Sequence, residues 1–311
     1  MRPAAALVSC RAARGLDEDM PPLLAAFAAV GVHAEIADWD DPLVEWGRFD
    51  VALLRSAWDY TDRLGEFLAW VERTATLTQL LHPPEIVRWN ADKHYLQTLA
   101  GAGVAVVPST FAEPGADGAA AVDEFLAREG CAELVVKPAV GAGARDTRRY
   151  AREAAAAARA HVQRLLGARR SVLLQPYLPS VERDGESALI YLDGHFSHAI
   201  RKGPLLPAGG AATAALFAAE EITPRRPAAA ELAAATGILR ALPFSSLLYG
   251  RIDLIRGADG APLLLELEIT EPSLYFRHGA GAAARFVAGV GRRLGWPATS
   301  ENVRPRTQNV S

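Results

Sequence analysis

The chain has 311 residues, half of them hydrophobic and 22% charged, which allows one large or two modest domains and excludes wholesale disorder or a fibrous protein. Its 33 basic and 36 acidic residues are interspersed, for a net charge of -3, so a nucleic-acid arm is excluded and duplex binding is not expected. Cys10 and Cys131 lie far apart, no run of about 18 apolar residues occurs and residues 1–10 lack a basic stretch followed by a long apolar run, so no disulfide scaffold, zinc cluster, membrane span or export signal is expected and a reducing cytoplasm is.

In chain order, residues 4–9 are a short apolar run followed by a loop with Asp17, Glu18 and Asp19, and read as strand then loop. Pro21 and Pro22 open a helix to residue 30, since proline is tolerated in a first turn whose N–H groups have no intrahelical partner. Strands are expected over 33–37 and 51–54, and a helix over 64–74, where Leu64, Phe67, Leu68 and Val71 share a face. The alternation predicts a parallel sheet, and the Pro83-Pro84 pair marks a break, so a first α/β domain is expected over 1–88. A helix over 91–99 stopped by Gly101 and Gly103, a strand over 104–107, a helix over 119–128, a strand over 133–137, an alanine-rich helix over 151–166 and a strand over 171–175 predict an α+β unit over 89–178. Residues 179–298 are expected to hold a hairpin turning at Asp193-Gly194, a helix over 227–242, and strands over 247–255 and 262–268 joined by a turn at 257–260. Residues 299–311 read as a polar, flexible tail.

Thirty of the 33 basic residues are arginine; the lysines are Lys93, Lys137 and Lys202. A lysine retained against that background marks either chance or a site that needs a compact ammonium, as at phosphate oxygens. Lys137 ends the strand of V-V-K-P-A-V-G-A-G-A-R, ahead of Gly141 and Gly143, whose backbone N–H groups can approach an anion closely; the loop is a phosphate cradle or an ordinary turn. In G-R-I-D-L-I and L-L-L-E-L-E, Asp253, Glu266 and Glu268 alternate with apolar neighbours. Period two puts Glu266 and Glu268 on one face, where they repel unless water or a cation lies between them. With Asp253 on an adjacent antiparallel strand, the three make a hard-oxygen cluster suited to Mg2+, which keeps several waters and takes phosphate oxygens as its other ligands. In L-L-Q-P-Y-L the Pro176 C=O and Leu178 N–H are placed to read an adenine, and Glu182 or Glu186 to accept from ribose hydroxyls. Arg55, Trp58 and Asp59 follow a strand whose end faces ligands in α/β sheets: Arg55 suits a substrate carboxylate, Asp17 or Asp59 an ammonium, and Trp58 either contact or packing.

In this order, W-N-A-D-K, V-V-K-P, Q-P-Y-L, G-E-S-A-L-I-Y-L-D-G, R-K-G-P, G-R-I-D and L-E-L-E-I-T-E-P resemble the ATP-grasp superfamily over about 90–271, with the preceding region as its N-terminal substrate domain. Within it, D-M-P-P-L-L, R-W-N-A-D-K and L-E-L-E-I-T-E-P-S-L are most similar to the cyclo-ligases of cycloserine biosynthesis and more distantly to bacterial glutathione synthetases. The resemblance implies an α/β protein, α+β in its two-lobed ATP-grasp module. Its implied activity uses ATP and Mg2+ to activate a carboxylate as an acyl phosphate and joins it to a nitrogen, on an amino-acid-derived small molecule, releasing ADP and phosphate. It implies that Lys93 and Lys137 hold ATP phosphates under a loop containing Gly141, Gly143 and Arg145. Gln175, Pro176, Tyr177 and Leu178 would frame the adenine and Glu186 the ribose. Asp253, Glu266 and Glu268 would bind Mg2+ and Arg251 stabilise the tetrahedral intermediate, with Lys202 assisting at the γ-phosphate or facing solvent. Ser273 would fall on the substrate side. Glu268 stands where many members carry asparagine, and loop 139–145 is richer in glycine and alanine than in the cyclo-ligase. Intermolecular ligation and ring closure of O-ureido-D-serine type therefore both stay open, as does self-association. A non-catalytic ATP-binding protein on the same fold is the rival, disfavoured by the intact carboxylate set.

Overall fold

The computed structural model describes residues 2–207 and 220–296, so the tail expected at 299–311 lies outside the described residues. Strand β1 (Ala4–Ser9), helix α1 (Met20–Ala29), β2 (His33–Asp38), β3 (Val51–Ser56), α2 (Leu64–Ala75) and β4 (Gln79–Leu81) form the expected parallel unit, with strand order β2-β1-β3-β4. β1 and β3 are buried almost throughout, as apolar strands covered on both faces must be. Their C-terminal ends meet where the Ser9 and Ser56 hydroxyls lie 2.9 Å apart. The loops that leave this point carry Asp17 and Trp58, at the place where open α/β sheets bind ligands.

Helix α3 (Pro84–Asn90) precedes the helix expected over 91–99, which is α4 (Tyr95–Gly101). Pro84 occupies the first turn of α3, so the proline pair opens a helix there instead of ending a unit. The strand expected over 104–107 reduces to one bridge from Val106 to Leu264. β5 (Thr110–Ala112), α5 (Gly118–Glu129), β6 (Glu133–Pro138), β7 (Arg148–Ala151), α6 (Ala155–Gly167) and β8 (Val172–Pro176) form an antiparallel sheet ordered β5-β8-β6-β7. One of its faces packs Leu134, Val136 and Leu174 on Val122, Phe125 and Val162 of the two helices. Strand alternation turns Val135, Lys137 and Gln175 to the other face, into a cleft.

After α7 (Ser180–Asp184), strands β9 (Glu186–Leu192), β10 (His195–Lys202) and β11 (Ile222–Arg225), helix α8 (Ala229–Ala241), β12 (Tyr249–Arg256) and β13 (Pro262–Glu268) complete the chain up to helix α9 (Ala282–Leu294). The sheet is antiparallel, ordered β11-β10-β9-β12-β13. The β9–β10 hairpin turns at Asp193 and Gly194, both with positive φ (49° and 78°), the geometry of a type I′ turn. One face of this sheet joins a core with the parallel unit: Ile190 and Tyr249 pack with Leu7, Leu23 and Phe27, and with Phe286 of α9. Farther along β12 that same face turns polar at Arg251 and Asp253, and the site begins. We propose a division of the chain that follows the sheets: the break expected after 88 falls within α3, and the one after 178 lies between β8 and β9. No helix among the described residues is long and apolar enough to cross a membrane.

The joint between the units depends on a neutral histidine. His82 is 1% exposed; its Nδ1–H donates to the Ile269 carbonyl at 2.7 Å and its Nε2 accepts from the Leu248 N–H at 2.9 Å. Burial pushes its pKa down from 6.5 to about 4, against the opposing hydrogen bond to Ile269. The unfolded chain therefore binds the extra proton between pH 6.5 and about 4, so this contribution is full above that window and is lost as pH falls through it. A shift of this size corresponds to about 3 kcal/mol at most. In urea unfolding between pH 7 and 4.5, His82→Gln should lose less stability on acidification than wild type. An unchanged slope in His82→Gln would remove His82 from the account.

Candidate active site

A cleft of about 420 Å3 runs between the two antiparallel sheets and ends at the strand termini of the parallel one. Its floor is the polar face of β12 and β13. Their register sets Arg251 opposite Glu268 and Asp253 opposite Glu266, so the four side chains lie on one face. Asp253 is 1% exposed and receives the Arg251 Nε at 2.9 Å and the Lys202 Nζ at 3.1 Å. Arg251 also donates to Glu268 and, at 3.1 Å, to the Ser273 carbonyl. Across the cleft, Lys137 Nζ meets Glu266 Oε1 at 2.6 Å.

The electrostatics follow from that pairing. Burial opposes ionisation of Glu266, but the charges of Lys137 and Lys93 outweigh it and hold the carboxyl well below the usual range. Asp253 is likewise held low, burial being overcome by Arg251 and Lys202. Glu268 goes the other way, to about 7, through burial and the neighbouring Asp253 charge, with Arg251 opposing. The face thus crowds hard oxygen donors beyond what its cations balance, which suits a divalent ion. The three expected ligands do not converge into a cage: no group of three or more Asp, Glu, His or Cys side chains among the described residues stands ready as one. Each carboxylate is turned instead toward Lys137, Lys202 or Arg251. The donor set could hold an Mg2+ that keeps waters and shares phosphate oxygens, and Asp253 and Glu266 stand at opposed register positions on that face.

Lys93 lines the cleft, and its Nζ donates to the Gly141 carbonyl at 2.7 Å, tying α4's approach to the glycine loop. Gly141 and Gly143 line the cleft too. Gly143 has φ +61°, a conformation that favours glycine, and a Cβ on Gly141 would come within 2.9 Å of the Pro138 Cγ, so the backbone approach there is easiest with glycine. At the far end Gln175, Pro176, Tyr177 and Leu178 border the cavity together with Glu186. Gln175 Nε2 donates to the Ser109 hydroxyl at 2.9 Å, and the Tyr177 ring is covered by the Arg149 guanidinium at 3.5 Å. Lys202 does not face solvent: it lies among Asp253, Glu186 (3.3 Å) and Glu220 (3.5 Å).

Three of the expected residues are not brought to the cleft wall. Arg55 is fully buried and off the cleft wall; it donates to the Pro272 carbonyl at 2.8 Å and lies 3.5 Å from Asp19, because the core between the rings of Tyr249 and Phe286 encloses it. Asp59 is likewise off the wall, accepting from the Trp39 indole at 2.8 Å. Arg145 turns out of the loop to Asp62 at 2.7 Å. Asp17, Trp58 and Ser273 do line the substrate end. Several residues there carried no expectation. Asn90 bonds the Leu267 carbonyl and the Ile269 and Thr270 N–H groups, fixing the end of β13. Its signal was its place in W-N-A-D-K, an amide among apolar neighbours just before the lysine. Glu271 stands in the wall with its carboxyl pushed up to about 8 by burial and by Glu268, while the Tyr60 hydroxyl bonded to it pulls the other way. Tyr275, with φ 50°, reaches Glu220 at 2.8 Å and borders Arg251.

Comparison with known proteins places this geometry among relatives. Residues 5–82 match the family described as D-cycloserine synthetase DcsG, N-terminal domain. The cycloserine biosynthesis protein DcsG of Streptomyces lavendulae is 43% identical over 293 residues, 93% of this chain and 98% of the relative. The crystal structure of D-cycloserine synthetase DcsG superposes with a TM-score of 0.89 at 42% identity, covering 94% of this chain and 99% of that one. The ATP-grasp ligase PsnB, solved with a phosphomimetic precursor variant, Mg and ADP, shares the fold at a TM-score of 0.62 and 19% identity, covering 93% and 98% of the two chains.

Proposed function

The chain belongs to the family of the cycloserine biosynthesis protein DcsG and is an ATP-dependent ATP-grasp ligase that forms C–N bonds; on that premise we propose that it closes a ring within one amino-acid-derived molecule of O-ureido-D-serine type. The observation that carries the reading is the single continuous cleft into which the lysine-bearing sheet, the carboxylate face with Arg251 and the acid-lined N-terminal loop all open. Kinship to a cycloserine synthetase favours ring closure over the joining of two molecules.

In this reading Lys137 and Lys93 hold the phosphates of ATP, the Gly141–Gly143 loop covers them, residues 175–178 frame the adenine and Glu186 takes the ribose. Asp253, Glu266 and Glu268 would hold Mg2+, which supplies charge neutralisation on the transferred phosphoryl group. The substrate carboxylate attacks the γ-phosphorus, the bond to the β-phosphate oxygen breaks, and ADP leaves. A nitrogen of the same molecule then adds to the acyl carbon and phosphate departs, with the proton of that nitrogen released. Arg251, held by Asp253, Glu268 and the Ser273 carbonyl, presents its fixed guanidinium to the oxyanion formed between those steps. Lys202 balances Asp253 and Glu186 and keeps them in place.

The test is a trap. Enzyme, Mg-ATP and O-ureido-D-serine should yield ADP and phosphate, and added hydroxylamine should divert the acyl phosphate to a hydroxamate. A product lighter than one substrate molecule marks ring closure; one heavier marks joining of two. AMP and pyrophosphate at the catalytic rate would overturn the mechanism.

A further inference from the structure

At the substrate end of the cleft one buried carboxylate stands apart from the others. Asp17 is 7% exposed and lines the cavity. Its Oδ1 accepts the Asp19 N–H at 2.9 Å, which fixes the side chain, and its Oδ2 is fully enclosed with no hydrogen-bond partner. Arg55 and the Ser56 hydroxyl act on this carboxylate only in part. Arg55 bonds the Pro272 and Leu54 carbonyls and lies against Asp19, and the Ser56 hydroxyl pairs with Ser9. Asp38 also has an enclosed oxygen without a partner, but its second oxygen holds Arg14 at 2.6 Å and it does not line the cleft. A buried carboxylate whose counter-charge is shared with a second acid, as Arg55 is shared with Asp19, is expensive unless a ligand completes it.

We propose that Asp17 is the ammonium-reading residue of the substrate site: its carboxylate, which borders the cleft, takes the protonated α-amine of an amino-acid substrate. The proposal rests on the ring-closing ligase reading and adds the chemical class that the site selects. Three arguments favour an ammonium. It is compact enough for a pocket that Trp58, Tyr60 and Ser273 also border, and it brings three N–H donors to one acceptor. The α-amine shares its carbon with the carboxylate that must reach the γ-phosphate, so a carboxylate on the wall of that same cleft is placed to take it. Burial of the carboxylate, resisted by Arg55, pushes its pKa up, so the site lacks positive charge that a substrate cation would supply. An amine paired with a buried carboxylate also stays protonated. It then cannot act as a nucleophile, and the acyl carbon is left to the nitrogen that closes the ring.

The experiment compares wild type and Asp17→Asn on two substrates, O-ureido-D-serine and its desamino analogue, in which hydrogen replaces the α-amine. Asparagine still accepts the Asp19 N–H, so the loop is retained. The variant should raise KM for the amino substrate by about 10- to 100-fold, the loss expected for a charge-assisted contact. KM for ATP should stay unchanged, and both enzymes should handle the desamino analogue alike, which also certifies that the variant is folded. Asp17→Ser is assayed beside it and should behave in the same way. An amino-substrate KM within threefold of wild type, or an equal rise for both substrates, overturns the subsite while leaving the ligase reading intact. Wild type that releases no ADP with either substrate overturns the ring-closing reading and the subsite with it.

Discussion

Lys137→Arg is expected to slow ADP release by about 10²-fold or more while leaving the unfolding midpoint within the error of wild type. The argument starts from the strand. Lys137 is the last outward residue of β6 before the glycine loop, 6% exposed, with its ammonium 2.6 Å from Glu266. Arginine preserves the charge, so Glu266 keeps a cationic partner and the fold has no unpaired carboxylate. What changes is shape. A planar fork cannot sit as a point charge between Glu266 and a phosphate oxygen in a cavity already bordered by Gly141 and Pro138. Stopped-flow or coupled ADP assays at saturating substrate read the first half of the expectation, and urea unfolding reads the second. Turnover near wild type would remove Lys137 from the phosphate contact and return it to a purely structural ion pair.

The carboxylate face was legible because strand periodicity is local. Glu266 and Glu268 alternate with leucines on β13, and the turn through 257–260 folds β12 back so that Asp253 meets Glu266. Lys137 and the glycine loop were legible for the same reason, a strand followed by residues that permit close approach. Side chains that leave a loop were not. Arg55, Asp59 and Arg145 each find a partner chosen by the tertiary fold; for Arg55 it is Pro272, 217 positions away, and no spacing rule reaches that far. β7 escaped notice because R-R-Y-A is polar and lies at a sheet edge. Helix α9 left a signal that went unused: Ala282, Phe286 and Val290 recur every four residues and are all buried against α1 and the shared core.

Asp19 shows what that long-range order costs to remove. Its carboxylate is 4% exposed and accepts the N–H groups of Leu274 at 2.5 Å, Tyr275 at 3.1 Å and Phe276 at 2.8 Å. It also lies 3.5 Å from Arg55, which is itself wholly buried. One side chain from the first loop thus fixes the segment that follows β13, including the positive-φ turn at Tyr275 and the Ser273 carbonyl that receives Arg251. Asp19→Ala leaves three N–H groups without an acceptor and strands a buried guanidinium between Tyr249 and Phe286. The expected loss is about 3–5 kcal/mol, the range for breaking a buried ion pair by removing one partner. Asp19→Asn, which keeps the volume and one acceptor oxygen, should fall between this and wild type. Asp17→Asn, two residues away, removes a carboxylate whose burial outweighs the attraction of Arg55 and should change stability by less than about 1 kcal/mol in either direction. Urea unfolding of the three variants under one set of conditions gives the comparison. A loss below about 1 kcal/mol for Asp19→Ala would mean that water replaces the carboxylate, and that the substrate end of the cleft is held by Asn90 and the Tyr249 hydroxyl, which bonds the Leu54 and Thr270 carbonyls, without help from the first loop.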